Sequence, residues 1–514
     1  MPMHLLTRIP AFLILLGSLS GGRLAAGEEL PHLQQARQSS EIAGYSLGKV
    51  HRWLHEKALP RIDPETGLYV PEGDFNYRDA WADCYPFLVW AAWATDLEAL
   101  EGPVRGALHA EIRHCPEGFF SREENIFGGS EYVKDGLIAI VEVTGRDVWF
   151  DRMRAVQEEI WTNPRIETPF GPIPSTNLEV NGEQIQALVR LFTMTGERKY
   201  LERAERIADY YLLQGDFVPQ KLRDHGCEII GGLGLLLGVT SAHHPEKAAQ
   251  YRPLIRRMLD AIVERGTNPD GIMYNFLDRP DRLSDGWGYN YVSYLCYDLV
   301  ASQPVYTDRI RHTLKSLSKP LYRDYPWEGN PKAVSIDGFA DSIEGALYLV
   351  NRLPVPQALE WIDRETARNV VYADEPLESA PLWGTHKLQS NGVRTTLMHA
   401  LMHSKGTRAQ PWQRGLRLGG SVDGDSLYLV LQSDQDWSGQ LFFDIPRHRL
   451  YMGFSEDWPR MNTLPEWFTV EPGHAYTVHN LDSGSRTAHS GDALHRGLPV
   501  HLKAGEELLL RVGP

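Results

Sequence analysis

The chain has 514 residues, 42% of them hydrophobic and 23% charged, and a formal net charge of -15. This length exceeds one core of ordinary size, so we expect two or more folded units, one of them large. The acidic balance argues against nucleic acids and anionic membranes as partners, because both require a basic surface. An acidic sugar can still bind in a locally basic cleft.

Residues 1–26 have the features of an export signal. His4 and Arg8 give a weakly positive start, Ala11 to Leu16 form a short apolar run, and Leu24 to Ala26 offer a small-residue cleavage point. A membrane anchor is the alternative, although the run is shorter than the roughly 20 residues that a membrane-spanning helix requires. No later segment is apolar enough to span a bilayer. We therefore expect a secreted or periplasmic protein whose oligomeric state the sequence does not specify.

Between about residues 30 and 372, apolar residues recur at three- and four-residue spacing in segments of helical length. Several pairs share one layout, in which a helix rich in small apolar residues precedes a more charged helix. An example is 183–194 followed by 200–213. Such pairs suit an inner buried ring and an outer solvated ring. The pattern predicts an α/α toroid of six or seven helical pairs over residues 27–372, with an open solenoid of helical pairs as the alternative.

The last hundred residues have a different pattern. Alternating apolar and polar residues appear in short runs such as 426–432 and 507–512, with Gly, Asp and Pro between the runs. This pattern predicts an antiparallel β-sandwich over residues 414–514. Residues 373–413 are then a connecting segment that packs partly on the toroid. The overall prediction is a mainly α protein with a C-terminal β domain.

Polar and aromatic side chains cluster at the predicted starts of the inner helices, where side chains and free backbone N–H groups face a cavity. The clusters are Asn76, Tyr77, Arg78, Asp79 and Asp83; Asn177, Asn181 and Glu183; Arg223, Asp224, His225 and Glu228; Arg282, Asp285, Trp287, Tyr289 and Tyr291; and Asp337, Asp341 and Glu344. Long loops rich in glycine and aromatic residues precede them, and such loops are usually functional.

In architecture and in these clusters, the mature chain resembles the α/α-toroid carbohydrate-active enzymes, which include polysaccharide lyases with a C-terminal β-sandwich and unsaturated-uronyl hydrolases. The resemblance implies a polysaccharide or oligosaccharide substrate. Toroidal lyases use an Asn, a His, a Tyr and often an Arg, which implies a catalytic set in this chain. That set is Asn181, His225, Arg282, and Tyr289 or Tyr291.

The chemistry of β-elimination explains these residue types. The C5 proton of a uronate becomes acidic only when donors such as Asn181 and Arg282 neutralise the neighbouring carboxylate. His225 and a tyrosine would then act as base and acid. A tyrosine has an ordinary pKa of about 10, so a phenolate base requires a cation nearby. The remaining clustered residues are predicted to bind substrate, and they are Asn76, Tyr77, Arg78, Asp79, Trp81, Asn177, Glu183, Arg223, Asp285 and Trp287.

Glycoside hydrolysis is the second hypothesis, because it requires two carboxyl groups as acid and as base or nucleophile. Candidates near inner-helix starts are Asp79, Asp83, Asp135, Glu183, Asp285, Asp341 and Glu344. A non-catalytic glycan-binding protein is the third hypothesis. No metal or other cofactor is expected, since the four cysteines match no zinc spacing and the glycines at 231–234 follow no strand.

Overall fold

The computed structural model describes residues 30–327 and 336–514. The predicted export signal lies outside the described residues. As predicted, the protein is mainly helical and has antiparallel sheets in its C-terminal part. Among the helices described, none combines the length and the apolar character needed to cross a bilayer.

The described residues form the following α-helices. They are α1 (Leu30–Trp53), α2 (Tyr85–Thr95), α3 (Leu97–Ala99), α4 (Arg105–His114), α5 (Glu123–Glu131), α6 (Ile138–Thr144), α7 (Val148–Ile160), α8 (Leu178–Thr195), α9 (Arg198–Leu212), α10 (Cys227–His243), α11 (Pro245–Arg265), α12 (Trp287–Val300), α13 (Thr307–Ser316), α14 (Asp337–Val350), α15 (Pro356–Glu365), α16 (Lys387–Ser404), α17 (Arg447–Leu450) and α18 (Gly491–Arg496). A π-helical stretch, Tyr132–Leu137, leads directly into α6.

Seven of these helices form a closed circuit of neighbours. From α2 the contacts pass through the 132–144 helix to α8, α10, α12, α14 and α16, and α16 packs back against α2. These helices are buried on nearly all sides, as in α10, whose residues 227–240 are all buried. The alternating helices α1, α4, α7, α9, α11, α13 and α15 bury one face and expose charged residues on the other, which places them outside the circuit.

Glycine allows the inner helices to approach closely. A methyl group on Gly288 of α12 would lie 2.4 Å from the carbonyl carbon of Gly345 on α14. Real Cβ atoms do not approach backbone atoms this closely, so only glycine fits at this helix crossing. The backbones of α12 and α14 therefore touch, which keeps the interior of the circuit narrow.

The strands form three antiparallel sheets. Their bounds are β1 (Tyr274–Phe276), β2 (Arg279–Leu283), β3 (Arg408–Gln410), β4 (Leu416–Asp423), β5 (Ser426–Ser433), β6 (Trp437–Phe442), β7 (Ala475–Asn480), β8 (Arg486–Ser490), β9 (Leu498–Leu502) and β10 (Glu507–Gly513). The strand orders are β1-β2, β4-β5-β10-β7-β8 and β3-β6-β9. Helix α1 packs on β4 and β5. The β-sandwich stays a prediction.

Two features differ from the predicted organisation. The segment predicted as a connection, 373–413, contains α16, which packs against α1, α2 and α14 and closes the circuit. In addition, an irregular segment of the C-terminal part, 457–466, enters the circuit. There Arg460 pairs with the buried Glu142 at 2.8 Å, Arg190 donates to the Met461 carbonyl at 2.6 Å, and the Pro459 carbonyl accepts from Cys296. This segment seals one end of the circuit.

Candidate active site

A small, polar pocket, with a cavity volume of about 60 Å³, lies at the end of the helical circuit opposite to most of the 457–466 segment. Its lining comes from all seven inner helices or the residues that immediately precede them, and from the tip of the sealing segment. The lining residues are Asp83, Glu131, Lys134, Asp135, Glu179, Asp224, His225, Glu228, Tyr289, Asp337, Asp341, Glu344, Lys387, Asn391, Arg394, Met461 and Asn462. Nine carry carboxyl groups and four carry basic groups.

His225 is held between two carboxylates at the start of α10. Its Nδ1 contacts Glu179, and its Nε2 lies 2.9 Å from Asp224 Oδ2. The hydrogen bond to Asp224 has the larger effect and that to Glu179 the next, and together they raise the pKa of His225 to about 10. His225 also has a φ of 65°, in the left-handed region that few non-glycine residues adopt. The turn therefore fixes a protonated imidazole at the pocket wall.

Asp224 and Glu228 form a pair of carboxyl groups with opposite pKa shifts. Desolvation opposes the ionisation of Asp224, but the hydrogen bond from His225 outweighs it and holds the pKa of Asp224 well below its usual range. Burial raises the pKa of Glu228 to about 7, with Lys134 opposing the rise and Asp224 adding to it. The Lys134 ammonium lies 3.7 Å from Glu228 Oε1. One carboxylate is thus ionised at neutral pH, and its neighbour is poised to hold or release a proton.

Other carboxyl groups in and behind the pocket are also held protonated. Burial, followed by the charges of Asp83 and Asp135, raises the pKa of Glu131 to about 9. Burial likewise raises the pKa of Asp285 to about 8, with Asp341 adding to the rise. The Lys387 ammonium lies 3.0 Å from Asp83. The site therefore keeps a mixture of neutral and ionised acids, several of them buried.

Tyr289 belongs to a second ion-paired cluster on the pocket wall. Its hydroxyl donates to Asp341 Oδ1 at 3.0 Å and to Glu344, while Arg394 contacts Asp341 at 2.5 Å and Glu344 at 2.7 Å. Burial raises the pKa of Tyr289 well above its usual value, although Arg394 opposes the rise. The tyrosine is therefore a neutral phenol whose proton is already shared with carboxylates.

Of the predicted catalytic residues, only His225 and Tyr289 line the pocket. Asn181 is buried on the outer side of α8, where its amide donates to the Tyr211 hydroxyl and the Ser175 carbonyl, each at 2.9 Å. Arg282 lies on the exposed strand β2. Tyr291 is buried toward α13 and donates to the Gly271 carbonyl at 2.6 Å. These three residues lie outside the pocket: Asn181 and Tyr291 because a helix directs successive residues to different sides, and Arg282 because its strand is exposed.

The predicted substrate-binding residues also fall outside the pocket lining. Asn76 and Asn177 cap helices, accepting hydrogen bonds from backbone N–H groups in the first turns. Tyr77 donates to the buried Glu111, whereas Trp81 and Trp287 are core residues. Asp79 is exposed at the rim, 3.8 Å from Lys387. Glu183, Arg223 and Asp285 lie behind the wall and act on it through charge, as in the effect of Arg223 on the pKa of Asp285.

An aromatic groove of about 530 Å³ lies beside the pocket. Its lining includes Asn76, Tyr77 and Arg78 together with Phe75, Phe119 and Phe127. The Arg78 guanidinium lies over the Phe127 ring at 4.5 Å, and its Nε is 3.3 Å from Glu131 in the pocket. Arg78 therefore stands between the groove and the pocket and contacts both.

Potential metal ligands converge at three places in the described chain. The first is Glu131, Glu179 and His225 in the pocket; the others are His448, Asp457 and Glu466, and Asp363, His399 and His403. A histidine must be neutral to bind a metal. Hydrogen bonds to Asp224 and Glu179 hold His225 protonated, so the pocket group does not favour a metal ion.

Asp224 and Glu228 belong to a cluster that the sequence predicts without a specific role, whereas Lys387, Asn391 and Arg394 were not predicted as site residues. The last three lie on α16, in the segment predicted to be a connection. The sequence signal that could have indicated them is the group of polar residues in 387–396, which fits one helix. In the structure, all but three of these ten residues are buried.

Neither a protein-family model nor a curated protein sequence matches the chain. Among solved structures, an α-1,6-mannanase from Salegentibacter sp. HEL1_6 aligns over 70% of this chain and 98% of its own at 12% identity, with a TM-score of 0.40. A glycosyl hydrolase family 88 protein from Bacteroides vulgatus aligns over 60% and 98% at 14% identity and a TM-score of 0.38. A cellobiose 2-epimerase from Bacillus thermoamylovorans B4167 aligns over 68% and 97% at 11% identity and a TM-score of 0.36.

Proposed function

We propose that the protein is a glycan-processing enzyme, a glycoside hydrolase built on seven helical pairs in an α/α toroid and exported from the cell. The observation that carries the proposal is the Asp224 and Glu228 pair, whose environments push the two pKa values apart inside one pocket. Divergent pKa values in neighbouring carboxyl groups are how glycosidases separate the acid from the base or nucleophile.

Each of the two residues has a distinct role. Glu228, with a pKa near 7, protonates the departing glycosidic oxygen, because an acid transfers protons best when its pKa is near the working pH. Asp224 is ionised and half exposed, so it serves as the base that activates water or as the nucleophile. His225 fixes the orientation of Asp224, and Lys134 limits how far the pKa of Glu228 rises.

The geometry disfavours the lyase hypothesis. Elimination requires a base, yet His225 is protonated at neutral pH and Tyr289 is a neutral phenol with a raised pKa. The two donors predicted to neutralise a uronate, Asn181 and Arg282, lie outside the pocket. The two residues predicted to exchange protons with a uronate are therefore both protonated at neutral pH.

The charge of the pocket favours a neutral glycan over a uronate. Nine carboxyl groups, of which Glu131 is neutral at pH 7, face four basic groups, and each basic side chain already contacts a carboxylate, as Arg394 does with Asp341. A uronate would add negative charge at close range in a medium that screens weakly. A neutral sugar instead finds many hydrogen-bond acceptors, and the aromatic groove beyond Arg78 offers ring faces for further sugar units.

Product analysis tests the proposal. We expect the protein, incubated with a panel of neutral oligosaccharides, to release new reducing ends without the ultraviolet absorbance of an unsaturated sugar. Absorbance rising on uronic-acid polymers would instead support elimination. Binding without either product would support the non-catalytic, glycan-binding hypothesis.

A further inference from the structure

A cluster of metal-ligand side chains lies at the far end of α16 from the pocket. His399 and His403 are one turn apart on this helix, and Asp363 faces them from α15. At a rise of about 1.5 Å per residue, His399 and His403 lie roughly 7.5 and 13.5 Å along the helix beyond Arg394, the last residue of α16 that lines the pocket. The cluster is thus separate from the proposed catalytic site.

The three ligand atoms converge on one point. His399 Nε2 lies 2.8 Å and His403 Nε2 lies 2.9 Å from the same carboxylate oxygen, Asp363 Oδ1. The two Nε2 atoms are 3.2 Å apart. Ligands of a tetrahedral zinc ion, each about 2.0–2.1 Å from the metal, lie about 3.3 Å from one another. The observed triangle is therefore a few tenths of an ångström smaller than a metal-filled one.

The surroundings of the cluster support metal binding. The side chains of His399 and His403 are 2% and 10% exposed, which fixes their ring orientations, whereas that of Asp363 is 38% exposed and gives a path from solvent. The second ring nitrogen of His403, Nδ1, lies 3.2 Å from the Ser39 hydroxyl on α1. Metal-bound histidines commonly use the second nitrogen in this way, and the bond directs Nε2 toward the ion.

We infer that Asp363, His399 and His403 form a binding site for a divalent transition-metal ion, with two imidazole nitrogens and one carboxylate oxygen as ligands. This donor set suits zinc and its neighbours in the first transition series better than calcium or magnesium, which prefer oxygen ligands. A bound ion would tie the last outer helix, α15, to α16, the inner helix that closes the circuit.

Metal analysis of the full-length protein tests the site. The protein is stripped with a chelator, titrated with Zn²⁺, and separated from free metal before its zinc content is measured. We expect one zinc per chain that is lost in Asp363→Asn and His403→Gln, and binding at least about tenfold weaker in Ser39→Ala. Asp363→Asn conserves size at a partly exposed position, so this variant should fold. Co²⁺ in place of Zn²⁺ should give the absorption bands of a low-coordinate site.

Two controls separate this site from other histidines. His109→Gln changes an exposed histidine on α4, and His448→Gln breaks the cluster with Asp457 and Glu466. Both variants should retain the zinc. Retention of zinc by Asp363→Asn and His403→Gln, or no zinc binding by the wild type, would show that the cluster is a hydrogen-bonded triad only. The readout does not depend on glycan cleavage, so it is independent of the proposed function.

Discussion

Replacing Lys134 with methionine should shift the pH dependence of catalysis in a direction that the structure fixes. Lys134 is buried, and its ammonium lies 3.7 Å from Glu228 Oε1. At an effective dielectric constant of about 20, this separation corresponds to an attraction of about 4 kcal/mol, or about three pKa units. The nearer contact of Lys134 with Asp135, at 2.7 Å, takes part of that effect.

In Lys134→Met, the proton on Glu228 should therefore be held to higher pH. We expect the alkaline limb of the pH dependence of kcat/KM to move upward by about one to three pH units, because this limb reports loss of the acid's proton in the free enzyme. The assay measures reducing ends on the best substrate from the glycan panel across the pH range. Circular dichroism checks that the variant folds.

Lys199→Met is the matched control, since Lys199 pairs with Glu158 at 2.8 Å on the exposed side of α9. This variant should leave the alkaline limb in place. An alkaline limb in Lys134→Met that stays fixed or moves downward would refute the assignment of Glu228 as the acid.

Three further predictions concern single carboxyl groups. Glu228→Gln and Asp224→Asn should each lower kcat by about a hundredfold to ten-thousandfold while the exposed Glu123→Gln does not, measured as reducing ends at fixed enzyme concentration. The melting temperature of Glu131→Gln should rise relative to that of wild type as pH increases. Burial raises the folded-state pKa of Glu131 to about 9, so only wild type loses stability between about pH 4.5 and 9. A constant difference in melting temperature across that range would contradict this. Glu142→Gln should cost about 3–5 kcal/mol in chemical denaturation, since it leaves buried arginines poorly paired. Desolvation opposes ionisation of Glu142, but Arg460 and Arg190 lower its pKa to about 2. Its ion pairs therefore stabilise the fold above about pH 4.5, and this stabilisation disappears as the pH falls toward 2. A stability difference between wild type and Glu142→Gln that does not shrink with acid would contradict the pairing.

Hydrophobic periodicity was sufficient to predict the helical pairs, because inner and outer helices bury different fractions of their surfaces. It failed at α16, where Ser390, Asn391, Thr395 and Thr396 are buried although they are polar. A pattern that equates burial with apolar residues assigns such a helix to a connection. The helix that closes the circuit was therefore missed, and with it Lys387 and Arg394.

The site was predicted to lie near the inner-helix starts, and the pocket is there, but individual side chains could not be chosen from sequence spacing. Asn181 and Glu179 are two positions apart on α8, yet Glu179 lines the pocket and Asn181 faces Tyr211. That choice depends on the rotation of each helix about its own axis, which packing against both neighbours sets. The position of the sealing segment could not be predicted from local patterns either, because its contacts join residues far apart in the chain. Asn462, for example, donates to Asp135, which is 327 positions away.

Mass spectrometry of products formed in water enriched with heavy oxygen tests the central claim most directly. Hydrolysis by Asp224 and Glu228 adds one water per bond cleaved, so each product pair should carry one heavy oxygen atom, and Glu228→Gln should abolish the labelled product. Products that carry no label and are lighter by the mass of one water would show elimination and contradict the account.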